Sequence, residues 1–131
     1  MEPARNEHAD SIAAAICVLE AHFDALNVGD AAALAATLHF PHYRLAGTRM
    51  QVWQTPENYL ADFHARAGEG WHHSEWDFRN VIAASADKVH FETQFTRYRI
   101  DGSMMGSYRS IWVVTYIGGR WAAQLRSSFA G

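Results

Sequence analysis

Lysine is almost missing from this chain. Lys88 stands alone against ten arginines, the formal net charge is −3, and no basic patch gathers anywhere. Nucleic acid is therefore not an expected partner. Cysteine is equally scarce: Cys17 is the only one, which excludes an internal disulfide and a cysteine-built zinc site. Its neighbours Ala13, Ala14, Ala15, Ile16 and Val18 predict a small buried or half-buried thiol. No apolar run approaches the ~18 residues that cross a bilayer, so no membrane partner is expected. The opening Met-Glu-Pro-Ala-Arg-Asn-Glu-His is polar and has no hydrophobic signal core, so the expected address is cytoplasmic. No glycine-rich nucleotide motif is present, and no cofactor is expected. There is also no linker, low-complexity tract or internal repeat, which predicts a single domain over residues 1–131.

What is abundant is apolar and aromatic. Hydrophobic residues make up 49% of the 131 positions and aromatics 13%, enough for a substantial core. So large an aromatic share often also lines a cavity or an interface. Eight histidines add charge between neutral and mildly acidic pH.

The first half reads as three helices and a small hairpin. Ile12, Ile16, Leu19, Phe23 and Leu26 recur at helical spacing and predict a helix over 7–27, with Asn6 as N-cap and Gly29 as the left-handed stop. Asp30 caps a second helix through Leu38, ended by Pro41. Residues 39–47 and 49–53 read as a short extended pair. Thr55-Pro56-Glu57 starts a third helix that runs to about Ala67, with Tyr59, Leu60 and Phe63 on its inner face.

The second half reads as four long strands. Ser85-Ala86-Asp87, Asp101-Gly102 and Gly118-Gly119 mark the turns between aromatic and β-branched runs. In 88–100 one face carries Val89, Phe91, Thr93, Phe95 and Arg97, and this face is taken as inward. The run 106–116 is apolar on both faces, which fits a sheet whose outer face packs on a second copy and predicts a homodimer. The last strand sets Trp121, Ala123, Leu125, Ser127 and Phe129 on one side, Gln124 and Arg126 on the other. Helices gathered on one face of such a sheet make an α+β fold.

Three stretches carry a resemblance: HFDALNVGDAAALAATL for the first helix pair, TPENYLADFHARA for the third helix, and the ending SIWVVTYIGGRWAAQLRSSFAG. Together they resemble the nuclear transport factor 2-like superfamily, with its SnoaL-like and ketosteroid isomerase-like members. The resemblance implies a cone-shaped α+β fold of the cystatin-like kind, with three N-terminal helices on a strongly curved, mostly antiparallel sheet. It also implies a pocket opening near the third helix, and usually a homodimer. Isomerases of that group place a carboxylate base just after the second helix. Here His39, Pro41 and His42 stand in that region, and no Asp or Glu lies between Asp30 and Glu57. Isomerase, dehydratase or cyclase chemistry on a small apolar oxygenated molecule is what the resemblance implies. A non-catalytic ligand-binding or dimerisation module is the alternative.

The residues that could carry chemistry follow from side-chain type. His39 and His42 point to opposite sides of an extended segment, and His42, followed by Tyr43, is the one favoured for the pocket. His72 and His73 likewise split between faces, and His73 is the second acid/base candidate. No metal is expected, since His42 with His72 or His73 is not a ligand spacing. An inward Arg97 must pair with Glu75, Asp77 or Glu92, or else meet an anionic ligand. Glu75 and Asp77 are read as outward. Tyr108, Ser110, Asn80 and Ser127 share inferred inward faces with Trp76, Phe78 and Trp112, and Tyr108 is the hydroxyl expected to stabilise a substrate oxyanion beside Arg97. Trp53, Tyr59, Phe63 and Trp71 are expected at an aromatic rim.

Overall fold

The computed structural model describes residues 8–130. Helix α1 (Ala9–Val28) carries one apolar stripe, and Leu19, Phe23 and Leu26 enter the core. It stops at Gly29, whose φ of 70° is the left-handed conformation that ends a helix without a Cβ clash. The expected cap Asn6 lies outside the described residues, and His8 at the observed N-cap makes no side-chain cap bond. By length and composition α1 could cross a membrane, contrary to expectation, but its apolar stripe is packed on the core of this fold. Cys17 lies on its outer side and is exposed, not buried.

Asp30 caps α2 (Ala31–Ala35) by accepting from the Ala33 amide at 3.0 Å. The helix is shorter than its sequence suggests. The Thr37 hydroxyl turns back to the Leu34 carbonyl, and the amide of Ala123 takes the Thr37 carbonyl. Tertiary pairing thus ends α2 before Pro41. Strand β1 (Leu38–Ala46) contains that proline, after a cis peptide bond. It pairs with β2 (Arg49–Trp53) as the expected hairpin. Helix α3 (Pro56–Ala67) starts where predicted, with the Thr55 hydroxyl accepting from the Asn58 amide.

Strands β3 (His73–Ala84), β4 (Lys88–Tyr98), β5 (Met104–Ile117) and β6 (Arg120–Ser128) follow the predicted turns. The sheet order is β2-β1-β6-β5-β4-β3, antiparallel except for the β1–β6 pair. Helices pack on one face of it, so the architecture is α+β. Val89, Phe91, Thr93, Phe95 and Arg97 are all buried, as the period-two pattern predicts.

Two bulges overturn the expected facing elsewhere. In β6, Ala123 pairs with Val114 and Leu125 with Val113, leaving Gln124 as an extra residue. An inserted residue exchanges the two faces of everything after it. Arg126, Ser128 and Ala130 therefore turn inward, while Leu125 and Phe129 turn out, the latter 80% exposed. Ser127 leaves the inward face for the same reason. A second bulge at Asp77 in β3 carries Phe78 and Asn80 outward, where Phe78 lies under Arg109 and Asn80 meets Glu92.

Candidate functional site

Between the helices and the inner sheet face lies a narrow cavity of about 20 Å³. Its apolar wall includes Phe23, Leu26, Phe63, Phe95 and Trp112. Its polar wall is unusual. Arg44, Arg66, Arg97 and Arg126 all line it, with His22 and Tyr59, and no carboxylate lines it among the described residues.

Each arginine arrives from a different element. Arg44 follows His42 by two residues on β1, so the pleat sends both inward. Arg66 follows Phe63 by three residues on α3 and so shares its face. Arg97 ends the buried face of β4, and Arg126 is delivered by the Gln124 bulge. Exposure is 1% for Arg44, 4% for Arg97 and 6% for Arg126.

A directed hydrogen-bond chain runs along the wall. Arg126 Nη1 donates to the Tyr59 hydroxyl at 2.6 Å, and that hydroxyl lies 3.1 Å from His22 Nε2. His22 Nδ1 is 3.0 Å from Thr37 Oγ1, which itself donates to the Leu34 carbonyl at 2.8 Å. With Thr37 committed as a donor, His22 must donate from Nδ1, and Nε2 accepts from Tyr59. Burial, and then the nearby Arg126 charge, lower the His22 pKa to about 3. The imidazole is neutral.

His42 is inward, as expected, but it sits behind Arg126 and does not line the cavity. Its Nδ1 meets the Ala123 carbonyl at 3.1 Å, and its Nε2 faces Arg126 Nη1 at 3.3 Å. Both ring nitrogens are thereby occupied. Burial first, then Arg126 and His22, hold its pKa well below the usual histidine range. A general base needs a free lone pair and a pKa near the working pH, and His42 has neither. His39 faces the other way, toward the Thr115 carbonyl.

His73 is a correction. It lies on the outer face, bound to Glu75 at 2.8 Å and stacked on Tyr98, because the pleat sends Ser74 inward instead. Tyr43 is also misplaced by expectation, since it alternates with the inward His42 and Arg44. Trp53, Tyr59 and Phe63 form buried wall and backing, not a rim. Trp71 packs edge-on to Phe63, with its Nε1 donating to Ser74 Oγ at 3.0 Å. Trp76 stacks on Phe23 at 4.0 Å, outside the cavity lining. Tyr108 lies under the Arg97 guanidinium at 5.1 Å and also stays outside the lining, whereas Trp112 lines it.

Arg97 has none of its three expected carboxylate partners. Glu75 holds His73, Asp77 accepts from Thr96 and Gln94, and Glu92 pairs with Arg109, all away from the cavity. The guanidinium is instead surrounded by Tyr108, Phe63 and Phe95. Sequence reasoning missed His22, Arg44, Arg66 and Arg126. The first three carry a local signal, because each sits at strand or helix spacing from an inward residue. Arg126 carries none.

No protein-family model matches the sequence, and no curated protein matches it. Solved structures do match in fold. An NTF2-like protein with a cystatin-like fold from Novosphingobium aromaticivorans superposes with a TM-score of 0.75 at 13% identity, covering 97% of this chain and 86% of that one. A protein of unknown function with a cystatin-like fold from Nostoc punctiforme gives 0.72 at 16%, covering 90% and 89%. An NTF2-like protein of unknown function from Shewanella oneidensis gives 0.67 at 13%, covering 87% and 94%. Likeness at such identity is one of fold, and the fold is the nuclear transport factor 2-like, cystatin-like one.

Proposed function

We propose that this chain is a cytoplasmic small-molecule-binding protein, with its ligand in the arginine-lined cavity and a homodimer built on the outer sheet face. One observation carries the ligand reading: apolar rings and polar donors converge on one narrow space, as ligand sites require. The ligand is small enough for this narrow space, with its apolar part against Phe63, Phe95 and Trp112. Its oxygen function meets the guanidinium and Tyr59 end. Exposed Ile111 and Leu125 on the outer face support the dimer.

A second reading, proton transfer on the bound molecule, needs the Tyr59 hydroxyl to turn its proton from His22 Nε2 to a bound oxygen beside Arg126. Neutral, fully hydrogen-bonded His22 and His42 support binding over imidazole-driven catalysis. Native mass spectrometry of the purified chain tests the ligand reading. The expected result is a co-purified small molecule, lost on denaturation. A spectrum of bare protein, together with no response of tryptophan emission to a panel of small organic molecules, counts against any ligand.

A further inference from the structure

We infer that the ligand presents an oxyanion, a carboxylate or phosphate group, to Arg44, Arg97 and their neighbours; this rests on the small-molecule reading above. Three N–H-bearing atoms in the cluster, Arg44 Nε, Arg66 Nη2 and Arg97 Nε, are buried and have no hydrogen-bond partner among the described residues. Buried polar groups are ordinarily paired, and buried charges almost always so. Four guanidiniums share the cavity, and among the described residues only Arg66 has a carboxylate, Asp62 at 2.9 Å from its Nε. The other neutral partners are already used: Arg44 donates to Gln51 Oε1 and the Ala130 carbonyl, and Arg126 donates to Tyr59 and His42.

The charge is not relieved by deprotonation. Burial, then repulsion from Arg66 and Arg126, bring the Arg44 pKa down to about 9, which still leaves it charged at neutral pH. Burial and the Arg66 charge also lower Arg97. What the cluster lacks among the described residues is a negative group with two or more acceptor oxygens, the shape a guanidinium fork binds in bidentate fashion. The narrow space suits the head group of such a molecule. It holds little more than one water-sized centre, so a bulky neutral skeleton cannot sit among the arginines.

The test is thermal unfolding and tryptophan emission of the full chain with sodium acetate, sodium phosphate, acetamide and sodium chloride at matched ionic strength. Acetate or phosphate is expected to raise Tm by about 10 °C at a hundredfold excess over Kd, with acetamide and chloride inert. Comparing acetate with phosphate tells which head group the cluster takes. Arg97→Met is expected to lose at least about tenfold in oxyanion affinity, the loss of one charged hydrogen-bonded contact. Its ligand-free Tm should equal or exceed that of the parent, since an unpaired buried charge is gone. Should that variant fail to fold, Arg97→Lys keeps the charge without the fork and should still weaken the response. An Arg97→Met protein that responds like the parent overturns the inference. So does no response to either oxyanion, whether the cluster stays empty or is neutralised by the chain itself. If a neutral molecule binds and oxyanions do not, the small-molecule reading stands and the anion is removed. Silence from every probe, with a bare native spectrum, removes both.

Discussion

Arg126 and Tyr59, 67 residues apart in sequence, are joined by a 2.6 Å hydrogen bond inside the protein. The same guanidinium lies 4.8 Å from the Trp112 ring centroid and 3.3 Å from His42 Nε2. The bond ties α3 to β6, and through His22 it ties both to α1. The polar wall of the cavity is therefore also a brace between helices and sheet.

Tyr59→Phe should cost about 1–3 kcal/mol, because it leaves His22 Nε2 without its donor and removes one acceptor from Arg126 while changing little volume. Urea unfolding of the variant against the parent checks this. A midpoint shift near zero would mean that water replaces the hydroxyl and that the brace is weak.

Acid should unfold the protein early. His22 has a native pKa of about 3 against 6.5 when unfolded, and His42 is shifted in the same direction. Both are neutral in the fold, so the unfolded chain binds more protons below pH 6.5. The stabilisation is fully present above pH 6.5 and declines as pH falls toward 3, by up to about 1.4 kcal/mol per pH unit from His22, with His42 adding in the same direction. Urea midpoints at pH 7.5, 6 and 5 measure the slope. His22→Gln should flatten it, whatever it does to absolute stability.

Deleting Gln124 should be mild, at about 1 kcal/mol, the loss of its acceptor for Thr115 Oγ1. Without the extra residue Ala123 and Leu125 become consecutive and keep their partners Val114 and Val113, so Arg126 still turns inward. Gln124→Ala keeps the extra residue and loses only the acceptor for Thr115 Oγ1, so it should cost about 1 kcal/mol. Thermal unfolding of both variants should give similar small losses. A deletion far costlier than the alanine variant would show that the pairing of β6 shifts when the extra residue goes.

Ile111→Glu tests the dimer. The residue is 45% exposed on the outer face of β5. Sedimentation of the parent should give a dimer and that of the variant a monomer, since a carboxylate at the centre of an apolar contact is strongly disfavoured. A monomeric parent ends the dimer reading.

Much of the fold is legible locally. Gly29, Asp30 and Thr55-Pro56 punctuate the helices where backbone chemistry demands it, and Asp101-Gly102 and Gly118-Gly119 turn the ribbons. The alternation of β4 correctly brings Arg97 inside. The candidate site is legible only in part. Arg97, Tyr59, Phe63 and Trp112 are legible because each shares a periodic face with apolar neighbours, whereas His42 turns inward as expected but stands behind Arg126, outside the lining. His73, Tyr43, Asn80, Phe78 and Ser127 were misplaced by one residue of register.

Composition, turn residues and periodicity by themselves determined an α+β chain with helices over a sheet and a cation on its buried face. Those signals act over a few residues, through backbone sterics and the burial of one face. Tertiary structure alone decided that Gln124 bulges, that Arg126 therefore turns in, and that Glu75, Asp77 and Glu92 find partners elsewhere. These outcomes depend on strand pairing and on competition among distant charges, and no local window contains both members of such a contact.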